Sequence, residues 1–387
     1  IINLFSVGKN IISSQKNILS NKTLEVCSSM RDSSFEFLRL LAMFFIILGH
    51  CMLSTAVNDQ DIMSTLDLSG MGVMALTACA VNCFFLISGY FFKSSSLNLN
   101  RVLIIWFKTV FYSVFLYLIV SLLFFNFSCK ELLSYCFPVF TKKYWFIQTY
   151  IALALTMPFI LSGIEKLSNG KLTFLVIVLV MFFSCHETFM KVKFTLDQTQ
   201  GYGFMSGMMY YIIGFWIRKN SSLFCAIPKT GYIGLYLTVS LLIFLSGYLI
   251  VRFNIAGGVV SRANFYAYNS ITVLVQSISL FCFFVKISRL NLKYRSINYL
   301  SKNVLAGYLI SSHPMLLFSI WKINCLYHIA TDISVAAFII LTLILTLCVL
   351  VLCILADKVL DKIIKLFHVN LVMQQIDNTV NSFLKVK

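Results

Sequence analysis

Ten apolar stretches, each long enough or nearly long enough to cross a hydrocarbon core, recur along this chain. They lie at about 36–55, 71–92, 102–125, 144–162, 172–186, 204–217, 231–251, 267–286, 303–321 and 334–356. A bilayer core of roughly 30 Å takes about 20 apolar residues in helical form. In lipid every backbone polar group must also be satisfied within its own segment. The pattern therefore predicts an all-α integral membrane protein, a bundle of about ten transmembrane helices. Composition agrees: 59% of the residues are hydrophobic and 12% charged, against about a quarter charged in soluble domains.

A net charge of +17 would suit a nucleic-acid binder, but the basic residues sit in short segments between the apolar runs. Twenty-two of the 31 Lys and Arg fall in one alternating set of segments and eight in the other, with Lys108 inside a span. That asymmetry predicts both termini in the cytoplasm. The loop from Thr55 to Ser69, on the opposite side, carries Asp59, Asp61 and Asp67 and no Lys or Arg.

Residues 1–34 are mixed polar and basic, without the apolar run of a signal peptide. They read as a cytoplasmic tail, and the first span as a retained anchor. At the other end, residues 357–387 read as a cytoplasmic amphipathic tail. Val359, Leu360, Ile363, Ile364 and Phe367 alternate at helical spacing with Lys358, Asp361, Lys362 and Lys365, the pattern of a helix lying on the membrane surface. The intervening 35–356 form one membrane domain. Most of the twelve cysteines, Cys51, Cys79, Cys83, Cys282, Cys348 and Cys353 among them, lie within spans as small hydrophobes. No zinc spacing is present, so no metal is implied.

The first span, FEFLRLLAMFFIILGHCMLS, carries Glu36, Arg39 and His50. Eleven residues at about 100° each is three turns plus roughly 20°, so Arg39 and His50 share a face about 16 Å apart along the axis. Glu36, three residues before Arg39, joins the stripe. Ionisable groups in a membrane are costly and mark functional interiors, so the stripe is expected to face one shared cavity. An imidazole titrates near neutrality and can take and return a proton; alternatively it hydrogen-bonds another helix. Arg39 is either a boundary anchor or a fork of donors for phosphate.

Other candidates carry paired readings. Lys108 is a snorkelling side chain or a cation for a donor. Tyr144 and Trp145 are an interfacial aromatic belt or a stacking platform for an acceptor. Gln148, one turn deeper, bonds a substrate or a helix. Ser88 and Gly89 suit close helix packing, there being no nucleophile elbow. His186 and Glu187 read as loop surface with no third metal ligand nearby.

Four segments then resemble a known family. FEFLRLLA with His50 is similar to the first-helix signature of membrane-bound acyltransferase family 3. NCFFLISGYFF (Asn82–Phe92), YWFIQTYIALALTMPF (Tyr144–Phe159) and GYLISSHPMLL (Gly307–Leu317) resemble later segments, in family order. The resemblance implies transfer of an acyl group, usually acetyl from cytoplasmic acetyl-CoA, to a hydroxyl of an envelope polysaccharide or lipid-linked glycan. The setting it implies is the multi-pass membrane of a bacterial cell. It implies His50 as base or transient acyl carrier and Arg39 as partner of the donor. Two departures stand out. Where the family has an Arg-x-x-Arg-like cluster before the third span, this chain has Arg101 with Lys93 and Lys108 near. Where the family has a ninth-span histidine, it has Ser311, with His313 two positions later beside Pro314. The rival classes are a glycan transporter or flippase and an inactive membrane scaffold; the two halves show none of the internal repeat expected of many transporters.

Overall fold

A computed structural model describes residues 32–55, 63–92, 99–124, 126–189, 199–254, 264–288, 290, 293–317 and 333–385. The N-terminal tail up to residue 31, Asp59, Asp61, Lys93 and the end of the ninth apolar stretch lie outside the described residues. Among the described residues all regular structure is helical, and eight helices are long and apolar enough to cross a membrane. The chain is a multi-pass membrane protein.

The first span is α1 (Ser33–Thr55). The second apolar stretch begins earlier than expected and is broken in two, α2 (Thr65–Thr77) and α3 (Ala80–Tyr90). Next come α4 (Leu99–Leu123), the short α5 (Cys129–Cys136) and α6 (Trp145–Ile164). α7 (Asn169–Val180) continues through a π turn, Met181–Cys185, into His186–Phe189, so His186 and Glu187 are helical and not loop. The sixth stretch is α8 (Phe204–Lys219), 16 residues and mostly buried. α9 (Lys229–Arg252) and α10 (Ile271–Ser288) follow. The described part of the ninth stretch contains α11 (Leu305–Ser311), and the last span is α12 (Val335–Leu366).

α12 differs from expectation in length. It runs 32 residues without a break at 356, because Asp357, Leu360 and Ile364 turn inward and are buried. The amphipathic segment is instead a separate helix, α13 (Val369–Lys385), which begins after His368 takes a left-handed φ of 53°.

α1 is the hub, touching α2, α3, α10, α11 and α12. α3 crosses α8 at close range. A methyl at Gly89 would fall on the Tyr211 carbonyl, and one at Gly214 on the Leu86 carbonyl. Two glycines thus let the backbones meet, the small-residue contact by which helices associate where lipid removes the hydrophobic drive. Outward, Leu122, Phe124, Phe174 and Leu352 are more than 60% exposed, a surface suited to lipid.

Candidate active site

α1 carries both ends of the site. At one end Glu36, only 3% exposed, accepts a hydrogen bond from Arg39 in an ion pair. Its other oxygen accepts from the Ser301 hydroxyl at 2.6 Å. The guanidinium is thereby fixed from behind, and Arg39 lines a cavity of about 320 Å³ together with Arg101, Ser88, Tyr150 and Tyr211. Arg101 stands exposed on the first turn of α4. Pro158, inside α6, cannot donate to the Ala154 carbonyl, and both residues line this cavity. Two guanidinium forks over a polar hollow are suited to phosphate oxygens.

At the other end His50 lines a second, larger cavity of about 540 Å³. Thr77, Ala78, Ala80 and Val81, which flank the break between α2 and α3, form part of its wall. Irregular backbone at membrane depth is tolerated where it lines such a hollow. Among the described residues no Lys, Arg, Asp or Glu lines this cavity. Among the described residues no hydrogen-bond partner reaches His50 Nδ1, although that atom is buried. Buried polar atoms are almost always paired, so this one calls for an explanation.

An aromatic wall faces the histidine. Trp145 stacks on Tyr268 at 5.7 Å and meets Tyr202 edge-on at 4.6 Å, and all three rings line the cavity. Tyr268 is held by its backbone. Its carbonyl accepts from Asn82 Nδ2 at 2.9 Å and from the Tyr210 hydroxyl at 2.6 Å, and its N–H donates to the Gln200 carbonyl at 3.0 Å. Gln200 and Gly201 both take left-handed φ values, 66° and 82°. A side chain at Gly201 would collide with the backbone of Asn269, so the turn that carries Gln200 and Tyr202 to the cavity needs glycine there. Burial pushes the Tyr202 hydroxyl up from its ordinary pKa, which keeps it a neutral hydrogen-bonding group.

The expected stripe is therefore divided. Arg39 and His50 line two separate cavities, and the rings of Phe84 and Phe85 on α3 pack against Phe146 on α6. Val81 lines the histidine cavity and Phe85, one turn on, the arginine cavity. On α6, Trp145 lines the first and Tyr150 the second.

The remaining candidates stand elsewhere. Lys108 lines neither cavity; its ammonium lies 2.6 Å from Asp357 and 2.7 Å from Asp361. It belongs to a buried cluster completed by Tyr112, which donates to Asp357 at 3.1 Å, and by Asn303, which donates to both carboxylates. His313 is fully buried, stacked on Tyr135 at 5.2 Å. Its Nε2 lies 3.2 Å from the Ser113 carbonyl and its Nδ1 accepts from the Met315 N–H. Both ring nitrogens are engaged within the protein. Tyr144 is buried and donates to the Leu309 carbonyl at 3.0 Å. Gln148 is half-buried and lines neither hollow. Sequence reasoning passed over Gln200, Tyr202, Tyr268 and the Asp357 cluster. A carboxylate at the end of the most apolar run was the available sign of the last.

A family model described as an acyltransferase domain, acyltransferase family 3, matches residues 32–357. No curated protein and no solved structure matches the chain.

Proposed function

Because the chain belongs to acyltransferase family 3, whose model covers residues 32–357, we propose that it transfers an acyl group from acyl-CoA to a hydroxyl of an envelope polysaccharide or lipid-linked glycan. Acetyl-CoA is the proposed donor and the bacterial plasma membrane the proposed site. The observation that carries the assignment of roles is the buried Nδ1 of His50, which has no hydrogen-bond partner among the described residues and lies in a hollow whose described lining holds no other acid or base side chain apart from tyrosines.

With both termini in the cytoplasm, the arginine cavity lies on the cytoplasmic side, where acyl-CoA is available. Arg39 and Arg101 hold the donor phosphates. The acceptor enters the histidine cavity, where the rings of Trp145, Tyr202 and Tyr268 stack on the apolar faces of a sugar and Gln200 bonds its hydroxyls. His50 takes the proton of one hydroxyl as its oxygen attacks the thioester carbonyl. The C–O bond forms and the C–S bond breaks. The proton then passes from His50 to the departing thiolate, giving the ester and free CoA.

Replacing His50 by alanine tests this. The variant is expected to reach the membrane in normal amounts while mass spectrometry of the surface glycan shows loss of the acetyl increment. Retained acetylation would remove His50 from the chemistry.

A further inference from the structure

Phe146 sits between the two cavities. Its ring is 6.1 Å from Trp145, which lines the histidine cavity, and 5.3 Å and 6.1 Å from Phe85 and Tyr150, which line the arginine cavity. Phe84 at 5.9 Å and Tyr308 at 5.3 Å close the ring of neighbours. These separations are those of packed aromatic pairs. The residue is 5% exposed and lines neither hollow. Its backbone N–H donates to the Tyr308 hydroxyl at 3.3 Å, which ties its place on α6 to α11.

We infer that Phe146, braced by Phe85, is the partition that the donor's acyl end must pass to reach His50, and that it sets the size of the acyl group transferred. This rests on the proposed transfer from acyl-CoA. With the phosphates held beside Arg39 and the base on the far side of the aromatic layer, the thioester has to traverse that layer. A densely packed interior accommodates small groups by small ring displacements and resists larger ones. An acetyl group needs the least displacement, and each added methylene needs more. The partition also limits water arriving at the thioester from the arginine side.

The test compares acetyl-CoA with hexanoyl-CoA as donor, in membrane vesicles from cells that make the acceptor. CoA release is measured and the rate of a His50→Ala control subtracted. In the unaltered protein the hexanoyl-to-acetyl ratio is expected to be low. Phe146→Leu is expected to raise it by at least about tenfold, the smallest discrimination a hydrophobic pocket makes per methylene, and Phe85→Leu to raise it less. A variant that only loses stability lowers both rates together and leaves the ratio where it was. An unchanged ratio in both variants would overturn the inference. So would loss of acetyl-CoA's thermal stabilisation in Phe146→Leu, since that would place the ring in donor binding. If the unaltered protein releases no CoA above the His50→Ala control, the acyl-CoA reading itself falls, whatever Phe146 does.

Discussion

Ser301 and Glu36, separated by 265 positions of sequence, meet in a 2.6 Å hydrogen bond behind Arg39. The hydroxyl holds one carboxylate oxygen while Arg39 takes the other, so the guanidinium that lines the cavity has a fixed back wall. Ser301→Ala is expected to raise the KM for acyl-CoA several-fold with little change in kcat, and Ser301→Thr to restore it. Steady-state kinetics in vesicles read both. An equal fall in kcat would show that Ser301 acts on the chemical step.

The Lys108 cluster calls for a different experiment. An ammonium and a carboxylate buried at 10% and 1% side-chain exposure are costly to separate, because the survivor is left without its counter-charge. Lys108→Ala is therefore expected to cost about 3–5 kcal/mol, seen as a lowered melting temperature in detergent. Replacing both, Lys108→Met with Asp357→Leu, is expected to recover most of that loss. If instead Lys108→Ala melted normally but lost affinity for acyl-CoA, the lysine would be a donor cation after all.

His50 and His313 were both candidates in the sequence, and their surroundings separate them. His313 has both nitrogens engaged and a tyrosine against its face, whereas Nδ1 of His50 is orphaned. His313→Gln is expected to lower thermal stability yet retain a measurable rate of acyl transfer per folded molecule. His50→Gln is expected to fold and to transfer nothing. Equal inactivation of the two at equal folded amounts would assign His313 a chemical role.

These contrasts mark what could be read from residues alone. Glu36, Arg39 and His50 were legible because charge within an apolar run is rare and helical spacing puts all three on one face. The apolar stretches marked where helices lie, eight of them long and apolar enough to cross a membrane among the described residues, though α2 begins at Thr65 and breaks at Ala78, where no proline warns of it. The continuation of α12 to Leu366 was not expected, because Leu360 and Ile364 keep the inward-facing pattern past Asp357, and a helix leaving a membrane shows the same periodicity as one lying on it. The partition at Phe146 was invisible among 37 phenylalanines. Periodicity records which way a residue faces along its own helix. It does not report the neighbour it meets, 249 positions away for Lys108 and Asp357.

The contact of α3 with α8 joins the packing to the site. Gly89 follows Ser88 and lies one turn after Phe85, and both of those line the arginine cavity. Across the crossing, the carbonyl of Tyr211 occupies the space that a side chain at Gly89 would need, and the carbonyl of Leu86 the space needed at Gly214. Backbone on both sides cannot rotate out of the way as a side-chain end would. Gly214→Ala is thus expected to force the helices apart at a cost of about 1–3 kcal/mol and to displace Phe85 and Ser88 from the arginine cavity. The melting temperature should fall and the KM for acyl-CoA should rise together. Gly163→Ala serves as the control, since a methyl there meets nothing within 4 Å and should alter neither. A Gly214→Ala protein with unchanged melting and unchanged KM would show that the two helices do not meet by backbone contact.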